Sequence, residues 1–277
     1  MKKQTTQPGT QTPGKHIGRQ WLTVAAVLTS ITVNILSMIF PPEGRNIGEV
    51  SDTTFGNVLI TPAGYAFPYI WGLIYIGLIV FAIYQALPQQ RYSQPIAKAA
   101  WGAIGASVLQ ILWVYAFLTS YFWISVALMV GIFGCLMFAY LQTRSVKPTR
   151  KVRWFLQAPI SIYFSWITVA AVVNIASVLM INLPEYWSTV STGPAALTVV
   201  MVTICAALSA MVAFRQRDAS YPAVTVWALI AIAVRHAAVP ALAFLGIGLA
   251  VGLTVVIVRI VAHSRGRTQP VYPADMP

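Results

Sequence analysis

The residue types in this chain that could take part in chemistry are aromatic rings and amides set at helical spacing. Phe67, Trp71 and Tyr75 recur every fourth residue and so share one side of a helix. Gln110, Trp113 and Phe117 follow at intervals of three and four, and Tyr163, Trp166, Ala170 and Asn174 form a third such face, with Ser177 next along it. Indoles and phenols offer flat apolar surface with one polar tip, and amides both donate and accept hydrogen bonds. Three such faces packed together would enclose an apolar cavity with a few orienting polar groups, the composition of a small-molecule site. The same spacing also suits core packing and interfacial anchoring, the ordinary use of aromatics in membrane helices.

Groups for proton transfer, nucleophilic attack or metal binding are sparse. The sequence holds no Gly-rich phosphate loop, no HExxH and no acid pair at helical spacing within an apolar run. His16, His236 and His263 fall in a tail, at a helix end and beyond the last helix, which argues against a Ser-His-Asp arrangement. Glu43, Glu49 and Asp52 share one segment, yet their spacing matches no metal loop and suits a solvated outer loop. Cys135 and Cys205 sit in separate apolar runs and read as small buried hydrophobes. Arg235-His236 is the one ionisable pair near membrane depth, where such groups mark functional sites unless they lie at the interface. An axial haem ligand at His236 is the narrowest form of that functional reading. No catalytic residue and no metal site are expected.

The elements that must position the aromatic faces are membrane helices. The chain is 58% hydrophobic and 9% charged, against about 25% charged in soluble domains. Its net charge of +12 lies in short loops between apolar runs, a topology signal and not a nucleic-acid footprint. Arg144, Lys147, Arg150, Lys151 and Arg153 form the densest cluster and should attract anionic lipid at about 1 kcal/mol per basic residue.

Taken in order, residues 1–20 read as a disordered basic tail. Trp21 to Phe40 is too long for a signal-peptide core and reads as a retained first helix, with Asn34 expected to bond a neighbouring helix. After a loop over 41–61, Thr61 should cap the second helix, Pro62 should open it and Pro68 should bend it. Further spans are expected at about 99–118, 122–141, 155–181 and 194–214, with Glu185 and Trp187 in an outer loop. The final apolar stretch, 222–260, divides near 234–240. Eight spans with both termini inside leave only Arg45 and Arg235 among the Lys and Arg on the outer side. Gly102 and Ala106 offer a small-residue face, and Gly248 and Gly252 form GxxxG, expected to seat the last helices against the bundle or a second copy.

The aromatic set resembles the translocator protein family, also called TspO/MBR or tryptophan-rich sensory proteins. Its F-x-x-x-W-x-x-x-Y is matched by Phe67, Trp71 and Tyr75 with Pro62 ahead. Its N-x-x-W is matched by Gln110 and Trp113, with Gln in place of Asn and Phe117 beyond, and its Trp with Asn eight residues later by Trp166 and Asn174. Pro41-Pro42 echoes its Pro-rich first loop. The resemblance spans about residues 20–182, leaving 183–262 as a three-helix extension and 263–277 as a tail.

It implies an all-α, five-helix membrane bundle that binds porphyrins, haem-like tetrapyrroles or sterol-like lipids, often as a homodimer. Trp71, Trp113, Trp166 and Asn174 would lie in or beside the pocket, and no cofactor is required beyond such a bound tetrapyrrole or lipid. The expected protein is thus a multi-pass receptor or sensor of a bacterial inner membrane, with both termini cytoplasmic. A small-molecule transporter is the alternative, although no internal repeat relates 20–120 to 155–260. An enzyme that degrades bound porphyrin would need the tryptophans as redox groups.

Overall fold

Apolar runs of this length can satisfy their backbone polar groups in lipid only by coiling. The structure, a computed structural model, describes residues 13–55, 58–183 and 193–266, and among these all regular structure is helical. The helices are α1 (Pro13–Ile39), α2 (Ile47–Phe55), α3 (Ala66–Ala86), α4 (Gln94–Leu118), α5 (Phe122–Arg144), α6 (Arg150–Asn182), α7 (Gly193–Gln216), α8 (Ser220–Arg235) and α9 (Pro240–Gly266). Of the expected tails 1–20 and 263–277, residues 1–12 and 267–277 lie outside the described residues, as does the expected loop holding Glu185 and Trp187, whereas 13–20 and 263–266 are not tail but turns of α1 and α9.

Seven helices, all but α2 and α8, are long and apolar enough to cross a membrane. At 1.5 Å per residue, the 16 residues of α8 span about 24 Å, short of the roughly 30 Å hydrocarbon core. Its flanks nevertheless engage opposite ends of the bundle. Asp218, just before α8, accepts from Tyr140 Oη at 3.0 Å, Ser161 Oγ at 2.6 Å and the Ser220 N–H at 2.9 Å, and it pairs with Arg144. Arg235, at the other tip, pairs with Asp52 between α1 and α3. The chain therefore passes eight times between a basic end and an opposite end, here called the lid end.

Helix α6 is the hub, packed against α3, α5, α7 and α8. A π-type turn over Arg153–Gln157 precedes Pro159, which has no N–H to give a regular ladder. Gly77 lets α3 approach this point: a Cβ there would lie 3.4 Å from Pro159 Cα. At the basic end Gln20 Nε2 donates to the carbonyls of Gln85 at 2.9 Å and Leu87 at 3.2 Å, so α1 caps the C-terminus of α3.

The small-residue face on α4 is used. A Cβ on Gly102 would sit 2.8 Å from the Cys135 carbonyl oxygen and 2.9 Å from Ala139 Cβ. Gly102→Ala is therefore expected to cost about 1–3 kcal/mol through overpacking, read as a lower melting temperature in detergent. Gly248 and Gly252 are exposed with nothing within 4 Å, so GxxxG does not seat α9 within the protomer. Gly246 does so, its Cβ position lying 3.2 Å from Ala233 Cβ on α8.

Four local expectations are corrected. Residues 41–61 contain a helix, α2. Helix α3 begins at Ala66, so Thr61 and Pro62 lie outside it, and the Thr61 hydroxyl donates to the Val58 carbonyl at 2.9 Å. Pro68 then falls in the first turn, where no N–H is needed, and not further in, where it would remove a backbone bond. Asn34 Nδ2 donates to the Ser30 carbonyl of its own helix at 3.0 Å, not to a neighbouring helix.

Candidate functional site: an aromatic cavity beneath a short helix

Asn46 and Glu49 start α2 by reciprocal capping. The Glu49 N–H donates to Asn46 Oδ1 at 3.1 Å, and the Asn46 N–H donates to Glu49 Oε2 at 2.7 Å. The helix turns Val50, Ser51 and Phe55 inward, and the Phe55 ring stacks on Phe117 at 5.9 Å and meets the edge of Phe122 at 5.0 Å. Beneath it lies a cavity of about 60 Å³ between α2, α3, α4, α5 and α6. Sites that engulf a drug-sized ligand run to about 300–1,000 Å³, several times the volume of this cavity.

Five of the nine sequence-derived site residues line this cavity: Phe67, Trp113, Phe117, Trp166 and Asn174. Phe67 meets Trp166 edge-on at 5.8 Å, and Trp113 stacks on Phe117 at 5.1 Å. The other four, Trp71, Tyr75, Gln110 and Tyr163, do not line it and form a further aromatic layer. There the Trp71 ring lies 5.6 Å from Tyr75 and 6.2 Å from Tyr163, whose hydroxyl donates to Gln110 Oε1 at 3.4 Å. The remaining wall comes from residues outside that set, chiefly Ile47, Ser51, Phe55, Thr61, Pro62, Met129, Val169, Val173 and Ser177. The Asn46–Glu49 spacing was the signal for α2.

Every lining residue is neutral. Asn174 pairs with Ser125 Oγ at 3.3 Å, whereas Trp113 Nε1 and Ser177 Oγ are buried without a hydrogen-bond partner. A buried donor left unpaired costs about 1–3 kcal/mol, so these two groups favour an occupant that can pair with them. The described residues hold no cluster of His, Cys, Asp and Glu fit for a metal ion.

Arg235 and His236 sit at the cavity's rim. Arg235 Nη1 donates to Asp52 Oδ1 at 2.6 Å and to the Pro62 carbonyl at 3.3 Å, and His236 Nε2 is 3.1 Å from the Thr61 carbonyl. Burial, with a smaller contribution from Arg235, lowers the imidazole below its ordinary 6.5, only partly opposed by the Thr61 bond. An unfolded chain takes up this proton more readily than the folded one, so the contribution of His236 to stability is full above pH 6.5 and is lost as the pH falls from there through the lower folded-state value. Melting temperature should drop over that interval, and His236→Gln should flatten the drop.

Seven helices long and apolar enough to cross a membrane, four of which wall an uncharged aromatic cavity, define a multi-pass helical membrane protein. The model of the TSPO-like protein family matches residues 20–259, and the chain belongs to that family. The match runs well past residue 182, so α7, α8 and most of α9 fall within it and not only the first five spans. No curated protein and no solved structure matches the chain.

Proposed function

We propose that the protein is a membrane receptor that binds a flat lipophilic ligand, a porphyrin-like tetrapyrrole or a sterol-like lipid, in the cavity beneath α2. One observation carries the reading. Two unpaired polar groups, Trp113 Nε1–H and Ser177 Oγ, belong to a cavity wall otherwise made of aromatic and aliphatic surface, one amide and the hydroxyl residues Ser51 and Thr61. A flat ligand with polar edges suits that combination, with the rings of Phe67, Trp113, Phe117 and Trp166 adding about 0.5–1.5 kcal/mol per stacked pair beyond burial.

Titrating protoporphyrin into purified protein in detergent tests this. Saturable quenching of tryptophan fluorescence is expected at micromolar affinity, about −8 kcal/mol. Quenching that rises linearly with porphyrin, as in empty detergent, would count against it. We place the basic end at the cytoplasmic face on the charge asymmetry of the loops. There Lys147, Arg150, Lys151 and Arg153 are exposed to anionic headgroups, while Arg144 is committed to Asp218. A reporter fused to the C-terminus should then appear inside.

A further inference from the structure

The last three helices reach the cavity through the tip of α8. Besides Arg235 and His236, the Ala231 carbonyl accepts from the Ala63 N–H at 3.1 Å, and Trp227 Nε1 donates to the Ala66 carbonyl at 3.4 Å. These hydrogen-bond partners all belong to α2, to the segment joining it to α3, or to the first residue of α3. Thr61 and Pro62 line the cavity themselves, and Asp52 follows the lining residue Ser51. A nine-residue helix has little stability of its own and stays where packing and side-chain ties hold it. Its apolar tie is Phe55 against Phe117 and Phe122. Its charged tie is Asp52 to Arg235, with the Arg235 side chain 18% exposed and the Asp52 side chain 55% exposed.

We infer that the tip of α8 is a clasp: Arg235 is the positioning residue that holds α2 down over the cavity, so α7–α9 set how readily the pocket opens. The inference rests on the pocket reading proposed above, because a cavity of about 60 Å³ takes up a macrocycle only when α2 is displaced. The partly exposed ion pair suits a tie that must release. Exposed pairs contribute little, so its loss changes the open fraction without unfolding the bundle.

The test follows α2 without a ligand. Ser51 is 8% exposed, and Ser51→Cys, in a chain with Cys135→Ala and Cys205→Ala, reacts with a maleimide only as fast as α2 lifts. Arg235→Gln is expected to speed labelling roughly threefold, Asp52→Asn likewise, and the exchange Asp52→Arg with Arg235→Asp to restore slow labelling. Asp52 is the more exposed partner, so Asp52→Asn gives a readout even if Arg235→Gln folds poorly. Labelling at the parent rate in folded Arg235→Gln or Asp52→Asn overturns the clasp. Protoporphyrin association, followed in parallel by fluorescence, should accelerate in the same variants. Faster labelling with no porphyrin binding in any variant would leave the clasp standing and remove the ligand reading.

Discussion

Replacing Asp218 with Ala is expected to cost about 3–5 kcal/mol, because it leaves a buried cation without its counter-charge. The carboxylate is 4% exposed and gathers Arg144 from α5, Tyr140 from α5, Ser161 from α6 and the N–H of Ser220 at the start of α8. Arg144 also lies 4.8 Å from the centre of the Tyr140 ring, so its removal from the carboxylate disturbs that contact as well. Asp218→Asn should fall between wild type and Ala: an amide oxygen still accepts from hydroxyls but does not neutralise Arg144. Thermal unfolding in detergent measures both variants. If Asp218→Ala melts with the wild type, the cluster does not fasten α7 and α8 to the earlier helices.

Trp166→Ala and Trp113→Ala are each expected to weaken protoporphyrin binding at least severalfold. Trp166 is 2% exposed and meets Phe67, and Trp113 is 6% exposed and stacks on Phe117, so both changes remove wall and ring contacts together. Such truncations also cost stability, about 3–5 kcal/mol, so binding has to be measured on demonstrably folded protein. Trp113→Phe is the cleaner variant. It keeps a ring and deletes the unpaired Nε1–H, which should cost about 0.5–1.5 kcal/mol, or about two- to twelve-fold in affinity, if the ligand accepts that proton. Trp101→Ala, 53% exposed on α4, should leave affinity unchanged. Unaltered affinity in Trp113→Phe, Trp166→Ala and Ser177→Ala together would return these residues to packing.

Helical periodicity puts Trp113 with Phe117, and Trp166 with Asn174, on one face of their helices, because positions three or four apart share a face, and the fold turns those faces and Phe67 toward one space. It could not say how far along the helices the space extends. Trp71, Tyr75, Gln110 and Tyr163 obey the same spacing yet pack on one another in a further layer. Helix α2 was legible in the capping box of Asn46 and Glu49, but three acids in one segment drew attention to charge instead of period. GxxxG marks a face without naming its partner, because small residues permit a close approach from any helix; within the protomer α8 meets Gly246, two residues before the motif. The Asp218–Arg144 pair bridges 74 residues, and no local pattern carries a pairing of that range. Asn34 shows the same difficulty in reverse: a buried amide satisfied within its own turn leaves no trace in composition.

The Asp52–Arg235 tie spans 183 residues of chain, and that separation is also an interval of time. Synthesis proceeds at about 5–20 residues per second, so roughly 9–37 s pass between the appearance of the two partners. Until Arg235 appears, α1 to α6 assemble without that tie, held by the Gly102 seam and the α6 hub, with α2 secured by its packing alone. On the clasp inferred above, closure of α2 over the cavity is therefore a late event in biogenesis, completed by the helices synthesised last.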